Sequence, residues 1–321
     1  MINSEVKANL NNLKLTFENN KFWNHSPSVA NNPASVTTTP CTHHSSGCSG
    51  SGSCGCNSFA NAIQCFGFAL YMAYRVFGSY PVDSSSVSLN GGHCGNGWLK
   101  YGRGYTASLT LEPGDIVRTG ESNNIGHSAI VWTAENGVFQ VGEVWGNPPD
   151  TSKNCKINWG NFNGTSANRS ISKIVNEALY IMKAPKTFNI KNAGSNGYLS
   201  VMGTSAETGG RCVQLDPNGT EKQKWIIPST SGIGHIISSL DTNLAIKYIS
   251  DDDKYCRIYT LSNFEAGIVT IIPSGSYYKI KTTKDGADFY LTANASGGNV
   301  YWANEDPNPT AYQKWIFTEV S

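Results

Sequence analysis

Beyond Ala184-Pro185 the chain repeats itself three times in units of about forty residues, and this repeat limits the fold more than any other feature. The first unit runs TFNIKNAGSNGYLSV and then CVQLDPNGTEKQKWII; the third runs YYKIKTTKDGADFYLTA and then NVYWANEDPNPTAYQKWIF. The second, GHIISSLDTNLAIK followed by CRIYTLSNFEAGIVTII, is a worn copy. Each unit is a string of short β-branched and aromatic runs broken by Gly, Asn and Asp, which predicts short strands. A single unit cannot bury its own apolar face, so three copies are expected to close on one another as an all-β domain over residues 186–321. Gln223-Lys224-Trp225 and Gln313-Lys314-Trp315 fall at corresponding unit ends, where the second unit has Gly267-Ile268-Val269. The two Trp are expected in the shared core.

The preceding region follows other rules. In NSFANAIQCFGFALYMAYRVFG, Phe66, Leu70, Ala73 and Phe77 share a helical face and Gly78 is a suitable stop. This spacing places Gln64 and Cys65 at the head of an apolar helix. The runs LEPGDIV from Leu111, GHSAIVW from Gly126 and GVFQVGEVW from Gly137 each read as a turn leading into a strand, and the three strands are expected to be antiparallel neighbours. The segment from Asn57 to about Ala184 is therefore α+β, a Cys-bearing helix packed on an antiparallel sheet.

A thiol at a helix N-terminus and an imidazole at a strand start are what cysteine hydrolysis needs, because helix end and imidazolium both favour the thiolate. Cys65 is the candidate nucleophile and His127 the candidate base; a buried structural thiol is the plainer reading of Cys65. His93, in the glycine loop GGHCGNG, is the rival base, and Asp115 reads as a turn residue. The third group depends on hairpin register. A three-residue loop Glu135-Asn136-Gly137 pairs Ala129 with Glu143 and sets Glu143 on the face of His127. A two-residue loop Asn136-Gly137 pairs Glu143 with Ile130 and turns it away. The first is the expectation, with Asn147 as the alternative third residue. The Cys65 N–H and the Gln64 side chain are the candidate oxyanion donors.

Residues 1–40 read as leader and linker. Val6, Leu10, Leu13 and Phe17 recur at helical spacing, which leaves open a short docked amphipathic helix or a frayed end. The stretch CTHHSSGCSGSGSCGC over 41–56 cannot build a hydrophobic core and needs a covalent or metal pin. Zinc would draw on Cys41, His43, His44, Cys48, Cys54 and Cys56, but paired C-x-x-C knuckles are missing, so disulfides are preferred. The nine Cys less Cys65 leave an even number, which suits disulfides in an oxidising compartment. The start at Met1 lacks a signal peptide's charged and apolar regions, so the chain is either cytosolic or processed, and the cysteines favour processing and secretion. A net charge of +1 with no basic stripe argues against nucleic acid. The longest apolar run, 66–77, contains Arg75 and is too short to span a bilayer. A monomer is expected.

With its QxW pairs and its YxIxN and G-Y-L-x-V openings, the stretch 186–321 resembles ricin-type β-trefoil lectins. That resemblance implies a shallow sugar site per unit, made of an aromatic platform with adjacent Asp, Asn or Gln groups. Asp216, Asn218, Gln223, Trp302 and Asn304 are the candidates here. The Asp that usually follows the Leu of the opening motif is replaced by Ser200, Ala245 and Thr292. A trefoil kept as spacer or docking module is the plainer alternative.

The region 41–184 resembles CHAP and NlpC-type cysteine amidases and peptidases, papain-like hydrolases that mostly act on peptidoglycan. Gln64-Cys65, Pro113-Gly114-Asp115 and Gly126-His127 with Ala129 occur in the family's order. CHAP members often continue with Glu, Asn two residues on, and Trp; Glu143-Val144-Trp145-Gly146-Asn147 supplies the Glu without that Asn. The resemblance implies a secreted bacterial cell-wall amide hydrolase, without metal or organic cofactor, held on peptidoglycan or another glycan by its trefoil. The alternatives are a lectin-targeted cysteine peptidase or toxin acting on protein or host glycan-bearing surfaces, and a lectin whose enzymatic half is inactive.

Overall fold

The computed structural model describes residues 3–23, 33–38, 58–60, 62–82, 91–106, 109–120, 127–135, 138–145, 155–162, 170–228, 230–250, 253–261, 267–307 and 311–320. Helix α1 (Asn3–Thr16) buries Val6, Leu10 and Leu13, with Phe17 buried just beyond its end. This spacing gives one buried apolar stripe on a helix whose other face is mostly polar, with Leu15 exposed. Strands β1 (Phe22–Trp23) and β2 (Val36–Thr37) pair with each other, and β1 continues onto the main sheet. The region read as leader and linker thus contributes a helix and two strands to the first domain.

Next come the hairpin β3 (Ser58–Phe59) and β4 (Ala62–Ile63), helix α2 (Gln64–Phe77), β5 (Gly91–His93), β6 (Leu99–Gly102) and one turn of helix α3 (Arg103–Thr106). Strands β7 (Ile116–Thr119), β8 (His127–Glu135), β9 (Val138–Trp145) and β10 (Lys156–Gly160), helix α4 (Ile171–Glu177) and β11 (Ala178–Lys183) complete the domain. The nine-stranded sheet has the order β2-β1-β10-β9-β8-β7-β11-β6-β5, and its pairings are antiparallel. Strand alternation sorts its side chains into two layers. Ile116, Ile130 and Val144 pack under α1 and α2, while Val117, Ala129, Val131 and Val141 pack on the other side with Ile174 and Val175 of α4.

Helix α2 ends at Gly78, whose φ of +69° and bond from its N–H to the Tyr74 carbonyl (2.8 Å) close the last turn. Its approach to the β3-β4 hairpin depends on Gly67: a Cβ there would stand 2.3 Å from the Ala62 carbonyl oxygen.

The second domain closes as a barrel. Strand β12 (Thr187–Asn192) pairs with β15 (Lys224–Ile226) and β24 (Trp315–Val320). The ring continues from β24 through β21 (Tyr277–Lys284), β20 (Val269–Ser274), β16 (Gly232–Gly234) and its continuation β17 (Ile237–Ser238), back to β15. Three hairpins cap it: β13 (Tyr198–Val201) with β14 (Cys212–Leu215), β18 (Leu244–Lys247) with β19 (Arg257–Thr260), and β22 (Ala287–Ala293) with β23 (Gly298–Ala303). They touch in a cycle through Arg211↔Arg257, Tyr255↔Tyr301 and Val213↔Asn299. This is the threefold arrangement of a β-trefoil.

The QxW motif has a physical role in it. Trp225 and Trp315 are fully buried and donate from Nε1 to the carbonyls of Leu199 (2.8 Å) and Leu291 (2.9 Å). Gln223 accepts from the Asn218 N–H and donates to the Asp216 carbonyl, while Gln313 makes the same bonds with Asp306 and Asn304. Each Gln pins its loop and each Trp fills the core.

The domains share a packed boundary. Ile226, Ile237 and Ala245 of the trefoil join the cluster of Leu99, Tyr101, Leu109 and Leu111. Beside it, buried Lys183 pairs with Asp115 and with Glu112 at 3.2 Å, and Lys186 with Glu112 at 2.7 Å. Burial pushes the Glu112 carboxyl up, but the two ammonium groups outweigh it and hold it at about 2.

The expectation that eight Cys pair as disulfides needs correction. Cys212 and Cys256 are not joined as a disulfide and lie buried in the trefoil core with their side chains in contact, and Cys94 and Cys155 are buried in the core of the first domain. Cys41, Cys48, Cys54 and Cys56, with His43 and His44, lie outside the described residues, so the choice between zinc and disulfides there falls outside as well.

Candidate active site

Helix α2 begins at Gln64, whose φ of +53° puts a non-glycine residue in the left-handed region. That conformation costs about 1–3 kcal/mol and turns the chain sharply from β4 into the helix, so Cys65 stands at the free N-terminal end. The Cys65 thiol is half-buried and hydrogen-bonded to His127 and to the Ser128 backbone.

His127 opens β8 and stands on the sheet face opposite α2's main packing surface, with Ala129 and Val131. Its Nε2 lies 2.8 Å from Glu143 Oε2, and Glu143 is fully buried on β9. Asn158 on β10 sits directly across from Glu143 and donates from Nδ2 to its Oε1 at 2.9 Å. A second bond from Nδ2, to the Asn161 carbonyl at 3.2 Å, fixes the amide's orientation. Phe162 meets the imidazole edge-on at 5.2 Å and shields it.

The electrostatics follow from this chain of contacts. Burial pushes the Cys65 thiol up, but the His127 bond and charge, the Ser128 N–H and the more distant Arg118 together bring it below its ordinary 9.0. Burial pushes the His127 imidazole down, and the bonds to Cys65 and Glu143 outweigh it and lift it to about 10. Both shifts favour the thiolate–imidazolium pair over the neutral thiol and imidazole, which is the direction in which a cysteine nucleophile is activated.

The register that brings Glu143 to His127 has a different cause from the one read in the sequence. Glu135 pairs with Val138, so the connection is the two-residue one and the three-residue loop is corrected. An irregularity between Val131 and Thr133 then inserts one residue, Trp132, and restores Val131↔Val141 and Ile130↔Gly142. A bulge flips the face a second time and cancels the effect of the shorter loop. Trp132 uses its extra length outward, donating to Asn11 of α1 and lying under the Lys14 ammonium.

Other candidates fall elsewhere. Asp115 is buried and paired with Lys183, accepting as well from the Glu112 and Ala184 N–H groups, and so is a structural anchor. The backbone of His93 lies on β5, the edge strand four places from β8. Asn147 lies outside the described residues. Asn158 escaped the sequence reading, because only the pairing of β10 with β9 brings it to Glu143; the alternation Ile157-Asn158-Trp159 was its one local signal.

The trefoil candidates also need correction. Trp302 is fully buried in the core and donates from Nε1 to the Lys247 carbonyl at 3.3 Å, so it offers no sugar platform. Gln223 is buried and committed to Asn218, Asp216 and Ser200. The replacements for the usual Asp are buried too, and Ser200 and Thr292 accept from Gln223 and Gln313. Asp216, Asn218 and Asn304 remain exposed. Asp216 also lines an open cleft of about 420 Å³ between the first and third units, with Ser195, Gln214 and Ser296.

Residues 178–254 match the family described as ricin-type beta-trefoil lectin domain-like. The second domain has the lectin-like β-trefoil fold, and its first part matches the ricin-type model. Among solved structures, the designed threefold symmetric protein ThreeFoil is 18% identical over 42% of this chain and 99% of its own, with a TM-score of 0.36. The Vibrio vulnificus hemolysin/cytolysin β-trefoil lectin with N-acetyl-D-lactosamine bound is 16% identical over 43% and 97%, with a TM-score of 0.34. A mosquitocidal holotoxin is 14% identical over 64% of this chain and 35% of its own, with a TM-score of 0.38. No curated protein matches the chain. Among the described residues, no helix is long and apolar enough to cross a membrane, and no cluster of three or more His, Cys, Asp or Glu is arranged to hold a metal ion.

Proposed function

We propose that this protein is a papain-like cysteine hydrolase that cuts an amide bond of peptidoglycan outside the bacterial cytoplasm, held there by its lectin-type trefoil. The observation that carries this reading is the unbroken chain from Cys65 through His127 and Glu143 to Asn158, with the thiol lowered and the imidazole raised. Cys256, buried in the trefoil core, behaves in the opposite way: burial, with the neighbouring Cys212, pushes it well above its ordinary value.

The steps follow from the groups present. The Cys65 thiolate attacks the amide carbonyl carbon, and the negative charge moves to the carbonyl oxygen. The Cys65 N–H, at the head of α2, is the donor assigned to that charge, aided by the helix dipole. His127 gives its proton to the departing amine, leaving a thioester on Cys65. A water molecule then loses a proton to His127 and attacks the thioester, breaking the C–S bond to release the acid and restore the Cys65 thiolate beside the imidazolium. Glu143 holds the imidazole and stabilises its charged form, and Asn158 holds Glu143.

The trefoil's part is to raise local concentration on a glycan surface. Its exposed Asp216, Asn218 and Asn304 offer polar contacts, and the described lining of the cleft beside Asp216 includes no aromatic residue, so weak binding is expected. Digestion of purified peptidoglycan, with mass spectrometry of the new amino termini, tests the hydrolase. Wild type should release one class of terminus and Cys65→Ala none. Equal release by both would end the cysteine reading, and cleavage confined to protein substrates would replace the wall enzyme with a lectin-targeted peptidase.

A further inference from the structure

We infer that Arg118 receives a free carboxylate of the substrate beside the scissile amide, so that the site selects acidic peptides over their amidated counterparts. This rests on the cysteine-hydrolase reading and adds a substrate class to it.

Arg118 lies on β7 and pairs across the ladder with Ser128, the residue after His127. Its Nη1 donates to Ser128 Oγ at 3.0 Å, and its guanidinium carbon stands 5.7 Å from the ring centre of Phe66, the residue after Cys65. The guanidinium is thus held between the neighbour of the nucleophile and the neighbour of the base. It shares the α2 side of the sheet with Ile116 and Ile130, two residues back along β7 and two residues on along β8.

The side chain is half-buried, and among the described residues no carboxylate pairs with it. The buried cations at the domain boundary behave otherwise, since Lys183 and Lys186 both meet Glu112. A guanidinium carries five N–H donors in a planar fork, and the bond to Ser128 uses one of them. The remaining fork matches a carboxylate in two parallel bonds, which a single hydroxyl cannot supply. A partly desolvated cation next to a nucleophile favours anionic over neutral groups of the same shape. Its charge also helps hold Cys65 as thiolate.

Iodoacetate and iodoacetamide differ in charge and hardly in shape, and both alkylate thiolates. The full chain, Arg118→Gln and Arg118→Lys are each treated with both reagents, and modification of Cys65 is followed by peptide mass spectrometry. The ratio of the iodoacetate rate to the iodoacetamide rate cancels any change in thiolate content. Arg118→Gln should lower that ratio by about tenfold, the size of local anion enrichment by a fixed charge, and Arg118→Lys should restore part of it. Added salt should bring the wild-type ratio toward that of Arg118→Gln. In parallel, wild type should hydrolyse stem peptides with a free flanking carboxylate faster than amidated ones, a preference lost in Arg118→Gln. A folded Arg118→Gln with an unchanged ratio overturns the inference. Should Arg118→Gln not fold, equal hydrolysis of the free and amidated peptides by wild type overturns it. Iodoacetamide that spares Cys65 in wild type defeats the hydrolase reading, and this inference with it.

Discussion

Two residues set the charge state of the site. Because the Cys65 thiol is lowered from 9.0 and the His127 imidazole raised from 6.5 to about 10, hydrolysis should show a plateau between two limbs. The acid limb follows protonation of the thiolate; the alkaline limb follows loss of the His127 proton near 10. Cys65 and then Glu143 support the imidazolium, so Glu143→Gln, which removes the second of these anions, should move the alkaline limb down from about 10 in a pH–rate profile. An unmoved limb would deny Glu143 that role. The Asn158 amide acts one step further out. Asn158→Leu frees Glu143 Oε1 and lets the carboxylate turn, with an expected loss of about tenfold in kcat, or roughly 1.4 kcal/mol of transition-state stabilisation. Steady-state kinetics with KM unchanged is the signature of a positioning loss.

At the scale of elements, the site depends on how α2 meets its neighbours. Gly67 lets the helix run against the β3-β4 hairpin, and Gly67→Ala would place a methyl 2.3 Å from a backbone oxygen that cannot swing aside. The expected cost is about 1–3 kcal/mol, read as a lower urea midpoint, together with reduced Cys65 alkylation because the helix head shifts. Helix α1 closes the other side of α2, with Phe17 edge-on to Phe68 and Tyr71 at 5.9 Å. The bulge at Trp132 belongs to this scale as well. It binds the β8-β9 register, and hence Glu143, to the docking of α1 through Asn11 and Lys14.

At the scale of the molecule, the two domains meet over an apolar boundary with buried charges at its margin. Lys183→Met would leave Asp115 buried without its cation, and breaking such a pair costs about 3–5 kcal/mol. Chemical denaturation should show that loss, and Asp115→Asn combined with Lys183→Met should recover part of it. Within the trefoil, Trp302→Ala should act on folding. Deleting this buried ring costs about 3–5 kcal/mol, so calorimetry should show the second domain melting early and any glycan binding lost with it. Selective loss of binding in a stably folded Trp302→Ala variant would contradict its core placement.

The threefold repeat made the trefoil legible, because repeated strands with QxW ends must close a common core, and Trp225 and Trp315 lie there. Helix α2 and its Gly78 stop were legible for a similar reason: periodicity and a left-handed C-terminal glycine are local signals. Burial could not be read in the same way. Trp302 carries the composition of a sugar platform, yet it lies in the core, because a strand's facing is set by its neighbours. The same limit hid Asn158 and Arg118, each brought to the site by cross-strand pairing. Glu143 shows the limit most sharply. Its residue type was readable, but its facing depended on loop length and on the bulge at Trp132 together, and only packing against α1 and the adjacent strands selects that combination.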